Sequence, residues 1–131
     1  MSEVLNVSMQ YTPPGGALNS GTMSLQKLSS SNAQNAGYLD VPDATAASTA
    51  FTVPFGSIGT GAKALVVHNT LSNPLDVSIN GTLFGQISAG GMIMIGVGDT
   101  APTANPVLSM TLTTTVLQSG LGQIAYYVFG D

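Results

Sequence analysis

The clearest β-hairpin in the sequence is Leu75-Asp76-Val77-Ser78-Ile79-Asn80-Gly81-Thr82-Leu83-Phe84-Gly85-Gln86-Ile87. Apolar and polar residues alternate on both arms, and Asn-Gly is a strong signal for the turn between them. A two-residue type I′ turn would put apolar side chains on both faces of the hairpin. We therefore predict a three-residue loop of Ile79, Asn80 and Gly81 with a G1 bulge. The apolar side chains that then share one face are Leu75, Val77, Leu83 and Ile87.

The predicted register leaves apolar side chains near the hairpin tip. We expect Ile79 to lie at the exposed tip with Phe84 nearby. Exposed apolar groups mark interaction sites, so Ile79, Asn80 and Phe84 are our candidate contacts with another protein chain. The alternative is a tip that folds back on its own domain, and the sequence favours neither reading.

Period-two alternation continues along the whole chain, and no apolar stripe of helical period extends beyond about two turns. Further strands are predicted at residues 5–11, 23–25, 51–53, 64–69, 92–95, 108–116 and 123–129. Residues 29–37 are too polar and too small to pack well, so we expect a loop or arm there. A short helix over residues 44–50 is a less favoured alternative to irregular chain. Short strands separated by Gly, Asn and Pro predict one all-β domain over residues 1–131, an eight-stranded antiparallel sandwich of the jelly-roll type.

Charged residues are scarce in this chain. Lys, Arg, Asp and Glu make up 6% of the 131 residues, whereas about 25% is typical of soluble domains. A surface of hydroxyls and amides gives little repulsion between copies, which favours a protein that is docked against others. Lys27 and Lys63 are the only basic residues apart from His68, and the net charge is −4. Binding to nucleic acid is therefore disfavoured, because few phosphates could be neutralised.

Neither an export signal nor a membrane segment is apparent in the sequence. The first residues lack a basic stretch followed by an apolar one. The longest apolar run, at about residues 92–97, is far shorter than the about 20 residues that span a bilayer. We therefore expect a soluble protein made without export.

The residues that usually carry catalysis or bind metals are few and scattered. His68 is the only histidine, and we expect it to cap a strand or bond a backbone carbonyl rather than to act as a base. Asp40 and Asp43 flank a loop, but a calcium cage usually draws on more acids. Residues 56–61 are rich in glycine yet lack the lysine of a phosphate-binding loop. The sequence thus predicts no enzyme activity, and no catalytic, cofactor-binding or metal-binding residue.

One part of the chain, about residues 62–97, resembles a protein family. The segments that carry the resemblance are Ala64-Leu65-Val66-Val67-His68-Asn69-Thr70, Pro74-Leu75-Asp76-Val77-Ser78-Ile79-Asn80-Gly81 and Ile87-Ser88-Ala89-Gly90-Gly91. They are similar to the small jelly-roll capsid decoration, or cement, proteins of tailed bacteriophages. The resemblance implies a protein made in the host cytoplasm and placed on the capsid exterior, where a trimer binds the major capsid protein and stabilises the shell.

Two other functions fit the same residues. A phage tail or fibre component would share every feature of the sequence described above. A glycan-binding β-sandwich would also lack catalysis, but sugar-binding platforms usually present exposed Trp or Tyr. This chain has no Trp, which weakens the glycan hypothesis.

Overall fold

The computed structural model describes residues 3–11, 21–29, 33–59, 61–96 and 104–130. Within these ranges the strands are β1 (Glu3–Tyr11), β2 (Gly21–Ser29), β3 (Ala33–Val41), β4 (Ala50–Thr52), β5 (Ala62–Asn69), β6 (Leu75–Ile79), β7 (Thr82–Ile87), β8 (Met92–Gly96), β9 (Met110–Thr114) and β10 (Gly122–Gly130). Residues 44–49 form turns and irregular chain, so the alternative of a helix there is wrong. In the described ranges no helix is long and apolar enough to cross a membrane.

Eight of the strands form a sandwich of two four-stranded sheets, ordered β3-β10-β5-β8 and β4-β9-β6-β7. All pairs within the two sheets are antiparallel. The first of the eight strands pairs with the last, the second with the seventh, the third with the sixth, and the fourth with the fifth. This is the arrangement of a long hairpin folded over itself, which is the jelly roll. The predicted fold class is confirmed.

The core lies between the two sheets and follows the pleat of the strands. In β9, for example, Met110, Leu112 and Thr114 are buried, whereas Thr111 and Thr113 between them are only half-buried. Successive side chains of a strand point to opposite faces, so the alternating residue types direct one face inward. The fully buried apolar residues that meet between the sheets include Val41, Leu65, Val67, Leu75, Val77, Leu112, Ile124 and Val128. Burial of each such side chain contributes about 1.5–3 kcal/mol to folding.

The hairpin of β6 and β7 has a different register from the one predicted. Asn80 and Gly81 have φ angles of 50° and 82°, as a two-residue type I′ turn requires, and Ile79 pairs directly with Thr82. The pairing then shifts by one residue, so that Phe84 is the unpaired residue of a bulge. The bulge restores Ile87 to the buried face opposite Leu75, which is why the short turn is tolerated. The predicted three-residue loop is therefore wrong, and Leu83 lies on the outer face instead of in the core.

The expected loop or arm at residues 29–37 is also wrong for most of its length. Ser29 ends β2, and Ala33–Gly37 form the first half of β3, paired with β10; residues 30–32 lie outside the described ranges. Small side chains suit this position because Gly37 lies beneath the Tyr126 ring, where a Cβ atom would come within 3.2 Å of the hydroxyl oxygen. Tertiary packing thus overrides the weak strand propensity of these residues.

The N-terminal strands β1 and β2 pair with each other in a separate two-stranded sheet. Val7 lies opposite Leu25 and Met9 opposite Met23. The predicted strands at 5–11 and 23–25 are confirmed, and the second is longer than expected. By contrast, the strand predicted at 108–116 is shorter, because β9 covers only Met110–Thr114.

Candidate interaction surfaces

The three candidate contact residues of the β6–β7 hairpin have different environments. Phe84 is 62% exposed, and its neighbour Leu83 is 67% exposed. Ile79 is only half-buried and packs against the core, so the expected exposed tip at Ile79 is wrong. The reason is the two-residue turn, which places Ile79 in the ladder, opposite Thr82 and Met110.

Asn80 is exposed, but its side chain holds the hairpin turn against the chain before β9. Its Nδ2 donates a hydrogen bond to the Pro106 carbonyl at 2.7 Å, and its Oδ1 accepts hydrogen bonds from the main-chain N–H of Leu108 at 2.9 Å and of Ser109 at 3.2 Å. The Asn80 main-chain N–H also donates to the Ser109 carbonyl at 3.1 Å. These contacts give Asn80 a structural role.

Substitution of Asn80 tests this role. Asn80→Gly keeps the left-handed backbone and removes the side-chain bonds, so we expect a loss of about 1–2 kcal/mol in the free energy of unfolding. Asn80→Ala adds backbone strain at positive φ, so we expect a larger loss of about 2–3 kcal/mol. Urea unfolding measures both variants. An alanine variant as stable as the wild-type protein would contradict the assignment.

Leu83 and Phe84, the β7 pair, form an apolar projection on an edge strand of the sandwich. The nearby outer-face residues are polar, and Gln86 Nε2 donates to Asp76 Oδ1 at 2.8 Å. Two adjacent large apolar side chains with this exposure are costly in water and gain from being covered. Of the predicted contact residues, Phe84 is therefore the apolar one that lies on the surface, and Leu83, which was predicted to lie in the core, joins it there.

The outer face of the β3-β10-β5-β8 sheet is a second apolar surface. Cross-strand neighbours form two rows on it, Ala36, Tyr127, Val66 and Met94 in one, and Tyr38, Ala125, His68 and Met92 in the other. Neither row contains an acidic residue, a lysine or an arginine. Tyr38 is 67% exposed. A shallow concavity of about 270 Å³ lies here, lined by Val66, His68, Met92, Ala125, Tyr126 and Tyr127.

Sequence reasoning did not find this outer face, because its members come from four strands that only the sheet register brings together. The sequence does contain a pattern that could have indicated this face, namely the residues that alternate with the core positions of each strand. In β10 these residues include Ala125 and Tyr127, which alternate with Ile124, Tyr126 and Val128. Those residues are small, aromatic or apolar where a solvated face is usually charged.

A third apolar surface lies in the connection from β9 to β10, where Leu117 and Leu121 are exposed. Between them Gln118 is buried, its main-chain N–H donates to the Thr45 carbonyl at 2.8 Å, and its carbonyl accepts from the Ala44 N–H at 2.9 Å. The connection is therefore fixed to the chain before β4, which keeps the two leucines directed away from the core.

His68 lies half-buried in the concavity of the outer face, between Ala125 and Met92. We expected its ring to cap a strand or bond a backbone carbonyl, but the ring makes no hydrogen bond to any residue that the structure describes. A histidine base needs a second group to orient its ring, and the two rows around His68 supply no carboxylate.

The carboxylates considered for metal binding serve separate structural contacts. Asp40 Oδ1 accepts a hydrogen bond from Gln123 Nε2 at 3.1 Å, and Asp43 Oδ1 accepts one from the Gly120 N–H at 2.7 Å. Each aspartate thus links the region around β3 to the start of β10. Among the described side chains, no three His, Asp or Glu residues are grouped as metal ligands.

Comparison of the chain with known proteins adds no relative. No protein-family model matches it, and neither a curated protein nor a solved structure shows significant similarity.

Proposed function

We propose that this protein is a structural component of a bacteriophage virion, a decoration or cement protein that binds the capsid exterior as a homotrimer and stabilises the shell. The observation that carries the proposal is a jelly roll with large exposed apolar side chains on a nearly uncharged surface. The most exposed of these side chains are Tyr38, Leu83, Phe84, Leu117 and Leu121. The sequence resemblance over residues 62–97 supports the same assignment.

The charge pattern favours protein partners over nucleic acid. Interface centres are depleted in charged residues and enriched in aromatic residues and methionine, as the outer face is with Tyr38, Tyr127, Met92 and Met94. Of the two lysines, Lys63 is buried, so the described surface offers little with which to bind phosphates. A partner such as the major capsid protein fits this surface better than packaged DNA does.

A cement protein acts through contact area rather than chemistry. A stable protein interface buries about 1,200–2,000 Å², and one copy that spans the seam between two capsid subunits must be released before the subunits separate. The apolar surfaces of this chain lie on different parts of the sandwich, on β7, on the outer face and in the β9–β10 connection. One copy can therefore contact its own trimer partners and the capsid at the same time.

We assign the contact with the capsid to the β7 pair, and substitution of Phe84 tests that assignment. Phe84→Ala is expected to weaken binding to undecorated capsids of the same phage by on the order of tenfold or more, because a central aromatic anchor carries much of the energy of an interface. Binding is measured by co-sedimentation of the purified protein with capsids across a concentration series.

Gln86→Ala is the matched control, since Gln86 is an exposed residue on the same strand and should change capsid binding less than about threefold. Equal effects of the two substitutions would contradict the assignment of the β7 pair. Wild-type protein that binds purified tails but not capsids would replace the decoration role with the tail or fibre alternative.

A glycan-binding role is a second candidate, favoured by one observation. Tyr127 lines the concavity of the outer face and Tyr38 stands in the neighbouring row, and aromatic side chains of this kind can stack on sugars. Specific binding on a glycan array that is lost in Tyr127→Ala would support this candidate over the capsid role.

A further inference from the structure

The edge strands of the sandwich are β3 and β8 in one sheet and β4 and β7 in the other. Exposed edges invite pairing with other chains, and proteins protect them with short strands, prolines, bulges and charges. β4 has three residues with Pro54 just after it, β7 carries the bulge at Phe84, and β8 has five residues. β3 has nine residues, more than any other edge strand of the sandwich; Asp40 is its one charged residue, and Pro42 follows its last residue. No described strand pairs with its free edge, so residues 33–39 are the longest stretch of edge without a charge or a proline.

The core beside β3 is also incompletely covered. Leu39 lies on the inner face opposite Ile124, yet it remains half-buried while Ile124 is fully buried. On the outer face Tyr38 is largely exposed. An additional strand beside β3 would cover both residues, because neighbouring strands lie only about 4.8 Å apart.

The β1–β2 hairpin has the dimensions and the pattern of such an addition. Each of its strands has nine residues, as β3 does. In its register the apolar pairs Val7–Leu25 and Met9–Met23 alternate with pairs of polar residues such as Ser8–Ser24. A two-stranded ribbon alone is marginally stable in water, so this hairpin gains from joining a larger sheet.

The connection between β2 and β3 bears on whether β2 pairs with β3 of its own chain or with β3 of another copy. β2 ends at Ser29 and β3 begins at Ala33, a spacing that would permit a tight hairpin of β2 with β3. Instead β2 pairs with β1 and not with β3 of its own chain. An element that does not pair with the neighbouring strand of its own chain is available to pair with the same strand of another copy.

We propose that β2 of one copy adds antiparallel to the β3 edge of a second copy. If Met23 lies opposite Leu39, then Leu25 lies opposite Gly37, and the apolar positions of the hairpin continue the inner face of the sheet. Ser24 then lies opposite Tyr38 and Gln26 opposite Ala36 on the outer face. The contact is heterologous and can close a ring of three copies. It concerns assembly of this chain alone and does not depend on what the assembly binds.

Disulfide trapping tests the proposal directly, because the chain has no cysteine. Opposite residues of antiparallel strands have Cα atoms about 4.5–5.5 Å apart, within the range that a disulfide spans. We expect Ser24→Cys combined with Tyr38→Cys, oxidised in dilute solution, to give disulfide-linked trimers on a non-reducing gel. Each single variant carries one thiol and can give no species larger than a dimer.

The control combines Ser24→Cys with Gln86→Cys, since Gln86 is exposed on the other sheet, and it should remain largely uncrosslinked. Gln26→Cys with Ala36→Cys tests the same register one pair further along. A disulfide within a single chain would overturn the exchange, because it shows that β2 closes onto its own β3. No crosslink in either pair, or a wild-type monomer at all concentrations by light scattering, would overturn the added strand itself. Capsid binding is measured separately, so its outcome is independent of the crosslinking result; a wild-type monomer would remove the homotrimer from the proposed function but not the binding to capsids.

Discussion

Replacing Asn69 with alanine is expected to lower the free energy of unfolding by about 3–4 kcal/mol, although no apolar side chain is lost. Asn69 ends β5 and is fully buried. Its Nδ2 donates to the carbonyls of Asn73 at 2.9 Å, Ile87 at 3.2 Å and Ser88 at 3.1 Å, and its Oδ1 accepts from the Leu71 N–H at 3.0 Å. Alanine would leave these main-chain groups without their partner in a buried setting.

Urea unfolding with a matched control measures this effect. Asn73→Ala is the control, because Asn73 contributes its main-chain carbonyl to the cluster, and we expect a change of less than about 1 kcal/mol. A loss below 1 kcal/mol for Asn69→Ala would show that water replaces the amide and that the cluster is not essential.

Asn69→Asp is a second test of the same hydrogen-bonded cluster, which consists of the Asn69 side chain and the four main-chain groups that it contacts. Three carbonyl oxygens would face the new carboxylate, and burial together with these dipoles would raise the pKa of the introduced carboxyl group above its unfolded value. A raised folded-state pKa means that the folded state holds the proton more tightly. The variant should therefore be most stable at acidic pH and lose stability as the pH rises toward neutrality.

Truncation of Leu112 is expected to lower the free energy of unfolding by about 3 kcal/mol, within the range of 2–5 kcal/mol for large buried residues. Leu112 is fully buried at the centre of β9, where it pairs with Val77 on one side and Phe51 on the other. Alanine would leave a cavity between two strands that are fixed by their own hydrogen bonds, so the surrounding chain can collapse only partly into it.

The neighbouring residue provides the control for Leu112→Ala. Thr113 is half-buried on the outer face of the same strand, so Thr113→Ala should change stability by less than about 1 kcal/mol. Thermal and urea unfolding of both variants measure the difference. A loss for Leu112→Ala as small as the one expected for Thr113→Ala would show that the strand tolerates a cavity at Leu112 and that the core is less tightly packed than described.

Most of the fold could be predicted from the sequence, because alternation reports directly on which face of a strand is buried. The strands β9 and β10 were found in this way, whereas β5 and β8 were found as short continuous apolar runs. The register of β6 with β7 was not, since a bulge at Phe84 changes the pairing without any change in residue type. Ala33–Gly37 of β3 were missed for another reason. These small or polar residues are held in a strand by pairing with β10, which lies far away in the sequence.

The candidate site was predicted only in part. Exposure of Phe84 follows from its position among polar residues, but the half-burial of Ile79 depends on the turn length. The outer face with Tyr38 and Met92 depends on the order of four strands, which local patterns do not contain. Asn69 was read as the end of a strand, because its hydrogen-bond partners come from two loops whose approach is a property of the assembled sheets.

The pairing of β3 with β10 also bears on the order of events during synthesis. Ala33 pairs with Gly130, so this sheet cannot be completed until residue 130 has left the ribosome. Contacts between residues far apart in sequence form slowly, whereas the β1–β2 hairpin needs only residues 3–29. During this interval β3 lacks β10, its neighbour in the sheet, and unpaired strand edges of this kind make incompletely folded chains prone to pair with one another.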